Sequence, residues 1–264
     1  MIIKNIASGS SGNATYIGTD STHILIDAGI SKKRICEGLS KIGISLNDID
    51  ALLITHEHSD HIGSLGVIER YRNIPLYASS GTLKAINGLN IKGVDENLFN
   101  IVYADECFSV GDINIKPLSI SHDCAEPLAF RLESGKKSCA VVTDLGIYND
   151  HLIDNLKGLD ALLLEANHDI RMLETGPYPY YLKMRISGDR GHLSNEASGA
   201  FLSELLHDNI RHIILGHISR ENNTKELAQL SVQCEIESSR TKYKAKDFEI
   251  KTATFDQGSD AFDF

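Results

Sequence analysis

The stretch Leu52-Leu53-Ile54-Thr55-His56-Glu57-His58-Ser59-Asp60-His61 joins an apolar run, expected to form a strand, to three histidines and an aspartate within six positions. His56 and His58 alternate in the turn, so both imidazoles can face one side, while Asp60 and His61 open the helix that follows. Neutral imidazoles and carboxylates are the ligands that zinc, manganese and iron accept. The pattern predicts a metal site, and a histidine-rich surface loop is the simpler alternative.

The composition is that of an ordinary globular protein, with 264 residues, 42% hydrophobic and 23% charged. We expect a single domain over residues 1–264, because no linker or internal repeat divides the chain. No apolar run reaches the roughly 18 residues needed to span a bilayer, and the first residues lack the pattern of a signal peptide. Five cysteines without a CxxC pair predict reduced thiols. These features predict a cytoplasmic protein that has no membrane partner.

The net charge of −10 disfavours a protein that coats nucleic acid without specificity, since such binding needs clustered lysine and arginine. It does not exclude a nuclease, because bound metal ions can supply a local positive potential. The sequence leaves the oligomeric state open, a homo-oligomer included.

The run from His56 to His61 resembles the HxHxDH motif of the metallo-β-lactamase superfamily. That family adds an early strand-end aspartate, a lone histidine after a middle strand, a later aspartate and a histidine near the end. The chain has Asp27, His122, Asp144 and His217 in these settings. The resemblance covers nearly the whole chain and implies an α/β fold, the αβ/βα four-layer sandwich, with two mixed sheets face to face and helices outside.

The resemblance also implies a site for two divalent metal ions, zinc or manganese. One ion would be held by His56, His58 and His122, the other by Asp60, His61 and His217, with Asp144 bridging them. Such a pair ionises a shared water that attacks phosphorus, and Asp60 could also steer its proton. Asp27 would orient a ligand from behind the metals, although capping the helix predicted from Ser31 is a second role. Aspartate at position 144, where hydrolytic lactamases tend to have cysteine, favours the phosphodiesterase and thioester branches.

The polar run Ser8-Gly9-Ser10-Ser11-Gly12-Asn13 joins two predicted strands. Its backbone N–H groups and hydroxyls could face an anion, and a plain hairpin connection is the alternative. The run resembles the SGSSGN start of the YycJ (WalJ)-like branch of the superfamily, which implies that Ser10 and Asn13 contact the substrate.

The run Glu165-Ala166-Asn167-His168-Asp169 follows a buried strand, where the same branch carries an EANHD motif. We expect Glu165 behind the ligands and His168 at the substrate. Metal ligation, proton relay and phosphate contact all stay open for the pair, and a hydrogen-bonded rim is the alternative. Between residues 170 and 191, basic residues and tyrosines are interleaved around glycine and proline. This composition predicts either contact with a single-stranded nucleic acid or a solvated loop.

Two further runs resemble nuclease branches. His192-Leu193-Ser194 is similar to the His-x-Ser/Thr loop of the ribonuclease Z branch, which implies His192 as phosphate contact or general acid and Ser194 at the substrate. A surface histidine before an ordinary capped helix is the alternative. The run at 215–220, LGHISR, is similar to the LxHxSxR closing motif of nuclease members and implies that Arg220 lies beside the substrate.

Together these resemblances predict a metal-dependent phosphodiesterase, an exonuclease of 5′-to-3′ polarity acting on DNA or RNA or on a small phosphodiester. An ester or thioester hydrolase like glyoxalase II is one alternative, although it would need a basic helical cap where this chain predicts a strand at 248–255. A catalytically silent metal-binding regulator is the other. The patterning also predicts one strand at 99–110 and a helix at 224–230.

Overall fold

Two seven-stranded β-sheets form the centre of the fold in the computed structural model, which describes residues 1–253 and 258–264. The strands of the first sheet are β1 Ile2–Ala7, β2 Ala14–Gly18, β3 His23–Ile26, β4 Ala51–Leu53, β5 Leu76–Ala78, β6 Phe99–Ile101 and β14 Ala261–Asp263. Their order is β14-β1-β2-β3-β4-β5-β6. The sheet is antiparallel from β14 to β3 and parallel from β3 to β6.

The second sheet repeats this arrangement. Its strands are β7 Phe108–Val110, β8 Ile113–Ser119, β9 Leu128–Ser134, β10 Lys137–Val142, β11 Ala161–Glu165, β12 His212–Gly216 and β13 Glu249–Thr252, in that order across the sheet. The pairs from β7 to β10 are antiparallel and those from β10 to β13 are parallel. Both sheets are therefore mixed, as expected.

Helices cover the outer faces of both sheets. The helices of the chain are α1 Lys32–Ser40, α2 Ser59–Ile62, α3 Leu65–Tyr71, α4 Ser80–Gly88, α5 Asp150–Leu156, α6 Ile170–Thr175, α7 Tyr180–Ser187, α8 Asn195–Leu205 and α9 Lys225–Ser238, of which α6 and α7 lie beside the cavities described below. Apolar residues of α1, α3 and α4 share a buried cluster with the first sheet. Those of α5, α8 and α9 share one with the second sheet.

The alternation of side chains along the strands produces the four layers. Ile24 and Ile26 of β3 face the space between the sheets, where Phe130 and Leu163 of the second sheet meet them. Leu25 points the other way, toward the helices. Because successive strand residues face opposite sides, strands buried on both faces are apolar throughout. The predicted αβ/βα four-layer sandwich is confirmed.

The prediction of one strand at 99–110 is wrong. The chain leaves the first sheet after β6 and enters the second sheet as β7. Asp105 has a φ of 66° in the crossing, a left-handed conformation that aspartate tolerates better than most residues. Its N–H donates to the carbonyl of Pro117 at 2.8 Å, which holds the turn.

The solvated loop, the alternative interpretation of residues 170–191, is also wrong, because this segment contains α6 and α7. Asp169 caps α6 by accepting a hydrogen bond from the N–H of Met172 at 2.8 Å. Pro179, whose φ is −58°, precedes α7 and begins it with helical φ already set. Glycine and proline here separate two helices.

The C-terminal part differs from the prediction in extent. The helix predicted at 224–230 continues to Ser238, since Ala228, Val232 and Ile236 extend its buried face. The strand predicted at 248–255 corresponds to β13, and residues 254 and 255 lie outside the described residues. Neither α5 nor β14 was predicted. Among the described residues, no helix has both the length and the apolar character needed to cross a bilayer.

Candidate metal centre

Three imidazoles converge at the carboxyl end of β4. His56 follows this strand and His58 is the residue before α2, so the histidine turn lies against the strand edge. The Nε2 atom of His56 lies 3.1 Å from the Nδ1 atom of His58. That Nδ1 atom lies 3.3 Å from Nε2 of His122, which follows β8 of the second sheet. These ring nitrogens all lie within 4.8 Å of one another, close enough for one ion.

A second group forms beside the first. Asp60 and His61 lie in α2, and His217 follows β12 on the opposite sheet. The Oδ2 atom of Asp60 is 3.6 Å from Nε2 of His61 and 3.7 Å from Nε2 of His217. The structure therefore brings together both groups of side chains that the motif resemblance had paired.

Asp144 lies between the two groups, two residues after the end of β10. Its Oδ2 atom is 3.1 Å from Nε2 of His61, and its Oδ1 atom is 3.4 Å from Nε2 of His217. The same Oδ1 atom is 3.6 Å from Nε2 of His122. Asp144 is thus the carboxylate that reaches both groups.

Three site residues adopt left-handed backbone conformations at strand ends. The φ values are 62° for Asp27, 59° for Asp144 and 52° for His217. Such conformations are unfavourable for residues other than glycine and are concentrated at functional sites, where the surrounding contacts hold them. Here they turn the side chain back over the end of the strand.

Opposite charges dominate the electrostatics of this buried centre. Although burial opposes it, His217 and His61 hold the pKa of the Asp144 carboxyl well below its usual range. Against its own burial, His217 has its pKa raised to about 10 by Asp144, Asp60 and Glu165. Burial lowers the pKa of His56, with a further contribution from His61. The centre therefore keeps its carboxylates ionised and favours a positive charge beside them.

The residues present fit a divalent metal. Oδ2 of Asp144 and Nε2 of His217 are buried, and neither makes a hydrogen bond of acceptable geometry with the described residues. Buried polar atoms are nearly always paired in proteins. Two unpaired ones in the same cluster, Oδ2 of Asp144 and Nε2 of His217, therefore indicate that a ligand binds there. Imidazole and carboxylate donors are the set that zinc and its neighbours accept.

Asp27 orients one of the histidines. Its Oδ2 atom lies 2.8 Å from Nδ1 of His61, and its Oδ1 atom accepts the N–H of Thr55 at 2.9 Å. A carboxylate on the far nitrogen fixes the ring and leaves Nε2 directed at the site. The alternative role as a helix cap is wrong, since the Ser31 side chain accepts the N–H of Arg34 at the start of α1.

Glu165 has a more central place than a rim position. It is fully buried, and its Oε1 atom lies 2.8 Å from Nδ1 of both His217 and His192. Its Oε2 atom accepts the N–H of Leu145 at 2.8 Å and that of Leu193 at 3.2 Å. Although burial opposes it, the two histidines lower the pKa of Glu165 to about 2. The interpretation of Glu165 and His168 as a hydrogen-bonded rim pair is wrong.

His192 lies at the wall of a cavity of about 240 Å³, which we call the histidine cavity. Its lining includes the candidate ligands His58, Asp60, His122, Asp144 and His217, together with Ser10, Tyr178 and Arg185. The Nδ1 atom of His192 is 3.7 Å from Oδ1 of Asp144, and its side chain is 20% exposed. His192 therefore faces the space in front of the candidate ligands.

The polar loop before β2 supports the ligands from one side. Asn13 is buried, and its Nδ2 atom lies 2.9 Å from Nε2 of His61 and 3.4 Å from Oδ2 of Asp60. Ser10 of the same loop lies on the histidine cavity. Sequence reasoning missed Ser8, whose Oγ atom accepts the N–H of His217 at 2.7 Å. It also missed Thr55, although Thr55 lies within the stretch that predicted the site.

The remaining predicted substrate residues lie farther out. His168 and Ser194 line a neighbouring cavity of about 460 Å³, the apolar cavity, which shares His192 with the histidine cavity. The Ser194 hydroxyl accepts the N–H of Ala197 at 3.1 Å and so caps α8. Arg220 is exposed on the loop after β12, outside the described linings of these two cavities.

Comparison with known proteins agrees with this geometry. Residues 22–218 match the family described as a β-lactamase superfamily domain. The chain belongs to the metallo-β-lactamase superfamily, as its histidine motif predicted.

Two curated relatives indicate which branch of the superfamily the chain resembles. The chain is 38% identical to Exodeoxyribonuclease YycJ of Bacillus anthracis over 234 residues, which cover 88% of each chain. It is 40% identical to Exodeoxyribonuclease WalJ of Streptococcus pneumoniae strain D39 over 228 residues, or 86% of this chain and 85% of that one. The predicted similarity to the YycJ (WalJ)-like branch is confirmed.

Solved structures share the fold at lower sequence identity. Zinc-bound PqqB from Methylobacterium extorquens superposes with a TM-score of 0.73 over 100% of both chains, at 16% identity. At this identity the likeness concerns the fold alone.

Proposed function

We propose that this protein is a metal-dependent exodeoxyribonuclease that hydrolyses phosphodiester bonds at a pair of divalent ions. The observation that carries the proposal is Asp144, a buried carboxylate within 3.6 Å of His61, His122 and His217. The choice of DNA as substrate follows the YycJ and WalJ relatives, which are named exodeoxyribonucleases.

The proposed ligand set follows the two groups of side chains. His56, His58 and His122 would hold one ion, Asp60, His61 and His217 the other, and Asp144 would contact both. When bound, the ions would lower the pKa of a water molecule toward neutrality and neutralise charge on the phosphate oxygens. The nitrogen-rich donor set suits zinc, and manganese is retained as the second candidate.

Asp60 and His192 are the proposed proton-transfer residues. The Asp60 carboxylate lies on the histidine cavity, where it can orient the attacking water and accept its proton. Nδ1 of His192 is bonded to Glu165, which leaves Nε2 for the substrate. Because Glu165 fixes the ring through Nδ1, Nε2 can donate a proton to the departing oxygen or a hydrogen bond to the phosphate.

Ser10 is proposed to contact the substrate, as Asp60 and His192 are, since its exposed side chain lies on the histidine cavity beside a glycine-rich turn. A cytoplasmic location stays part of the proposal and is supported by the five free cysteines. No observation favours the thioester hydrolase, since the described C-terminal residues form β13 and β14 in place of a basic helical cap.

A substrate panel tests the proposal. We expect the protein loaded with zinc or manganese to hydrolyse bis(p-nitrophenyl) phosphate and single-stranded DNA, and to leave a glutathione thioester intact. DNA labelled at either end reports the polarity, which we predict to be 5′ to 3′, and an RNA strand of the same sequence reports the sugar preference.

Three variants assign the roles. His56→Ala should lose both bound metal and activity, because it removes a ligand. His192→Ala should keep its metal and lose phosphodiester turnover by about 10²- to 10⁴-fold, the usual contribution of a general acid. The matched control is His151→Ala, an exposed histidine that pairs with Asp105, and it should change neither quantity. Thioester turnover, or full activity of His192→Ala, would contradict the proposal.

A further inference from the structure

The apolar cavity adjoins the proposed reaction site and has no role in the mechanism above. Its walls include Ile170, Leu173, Met184, Leu193 and Ala197, and its volume is about 460 Å³. His192 lies in the lining of both cavities, so a ligand in one would lie next to a ligand in the other. The size and the mostly apolar lining are those of a small-molecule site.

Helix α7 forms part of the wall of both cavities. Leu182, Arg185 and Ile186 line the histidine cavity, whereas Tyr180, Lys183 and Met184 line the apolar one. Tyr180 is 77% exposed and lies at the mouth of the apolar cavity. The two cavities are thus separate compartments beside a single helix, with an aromatic ring at the entrance to one of them.

His168 is the unexplained polar group of the apolar cavity. It is 2% exposed, it lines the cavity, and its Nδ1 atom has no hydrogen-bond partner among the described residues. Burial lowers the pKa of His168 to about 4, so its ring is neutral at physiological pH. A neutral imidazole offers one donor and one acceptor, and a buried one without a partner is costly.

We propose that the apolar cavity receives the nucleobase of the terminal nucleotide of a DNA strand, while the adjoining phosphate lies in the histidine cavity. This inference rests on the proposed nuclease function. A nucleobase has apolar faces that suit the aliphatic walls and a polar edge that can pair with the His168 ring. An aliphatic ligand would leave that ring unpaired.

The charges at the apolar cavity are consistent with a neutral occupant. Lys183 and Glu174 both line it, so their charges offset each other. A second phosphate would require clustered cations, and the described lining contains no arginine. The compartments therefore differ in chemistry, the histidine cavity suiting the phosphate and the apolar cavity the base.

The first test compares two single-stranded DNA substrates, one with an ordinary terminal nucleotide and one whose terminal nucleotide lacks its base. Stacking of a base is worth about 1–3 kcal/mol, so we expect kcat/KM to be about 10-fold or more higher for the ordinary end. Equal cleavage of both ends would overturn the base site while leaving the nuclease function intact.

Variants locate the effect. Ala197→Leu fills the apolar cavity and should bring the ratio of the two kcat/KM values close to one. Ala200→Leu, one turn later on α8 and outside the described lining, is the control and should keep the ratio. Since a filled cavity can also disturb folding, Tyr180→Ala and Tyr181→Ala form a second pair. Both tyrosines are more than 70% exposed, and only the Tyr180 change should lower the ratio.

A binding measurement separates the two proposals. Calorimetric titration of the metal-loaded protein with deoxyadenosine monophosphate and with deoxyribose 5-phosphate should show at least about tenfold tighter binding of the nucleotide. Ala197→Leu should remove that difference. If no DNA is cleaved yet the difference is found, the nuclease proposal fails and the base site stands. If DNA is cleaved and both ligands bind alike, the base site fails.

Discussion

Each sheet contributes one buried carboxylate that holds a histidine by its Nδ1 atom. In the first sheet Asp27 holds His61, and in the second Glu165 holds His217, both at 2.8 Å. Asp27 follows β3, and His61 lies in α2, the helix that comes after the neighbouring parallel strand β4. Glu165 ends β11, and His217 follows the neighbouring parallel strand β12. Carboxyl ends of parallel strands meet at one edge of a sheet, so the same arrangement arises twice.

The two pairs differ in what else the carboxylate contacts. Asp27 is bonded to Thr55, which in turn lies 3.1 Å from Nδ1 of His56. Glu165 is bonded to His192, which faces the histidine cavity. The first pair therefore supports candidate ligands alone, whereas the second also links a candidate ligand to the side chain proposed to act on the substrate.

The largest effect of a substitution is expected at Asp144, which lies between the two groups of candidate ligands. Asp144→Asn removes the charge that both groups share, so we expect loss of bound metal and a fall in kcat/KM of about 1,000-fold or more. Elemental analysis and phosphodiester hydrolysis measure the two quantities. The control is Asp105→Asn, because Asp105 is also in a left-handed conformation, with a φ of 66°. Retention of both ions by Asp144→Asn would show that each group of ligands holds its metal independently of Asp144.

The candidate ligands of the two sheets also differ in how clearly the sequence reveals them. Four candidate ligands that follow strands of the first sheet lie between His56 and His61, so local chemistry alone predicts a metal site. The candidate ligands of the second sheet are single residues at separate strand ends. Only the family resemblance singled them out, because a lone strand-end histidine or aspartate has no distinctive local pattern.

Long-range contacts account for what the sequence could not predict. The bond between Glu165 and His192 depends on how the loop before α8 packs against β11, across 27 positions of sequence. The same holds for Ser8 and His217, which are 209 positions apart. The apolar cavity exists because residues 170–187 form two helices, which the glycine and proline content had concealed. The layers were predictable because apolar strand patterns depend on local periodicity.

The second prediction contrasts the two orienting carboxylates. Asp27→Asn and Glu165→Gln should each weaken metal binding by about 10- to 100-fold, the usual effect of losing the partner of a histidine ligand. At saturating metal, Asp27→Asn should regain nearly full turnover. Glu165→Gln should stay at least about tenfold slower, because His192 has also lost the carboxylate that orients its ring.

Activity measured across a metal titration distinguishes these outcomes, and the wild-type protein at each metal concentration is the reference. Complete recovery of Glu165→Gln in excess metal would mean that Glu165, like Asp27, acts only by orienting a metal ligand. Incomplete recovery of Asp27→Asn would mean that the first pair also acts on turnover.

The smallest expected effect concerns the hydrogen bond that ties the first sheet to the second at the site. Ser8, directly after β1, is 2% exposed, and its Oγ atom accepts the N–H of His217. The neighbouring Gly216 leaves room for this hydroxyl, because a Cβ atom at position 216 would lie 2.7 Å from Oγ of Ser8. Ser8→Ala leaves that buried N–H unpaired, so we expect a loss of about 1–3 kcal/mol in unfolding free energy, measured by denaturant titration. The exposed Ser11, changed to alanine, should stay within about 0.5 kcal/mol of wild type. Equal losses for the two variants would show that the contact between the sheets does not depend on this bond.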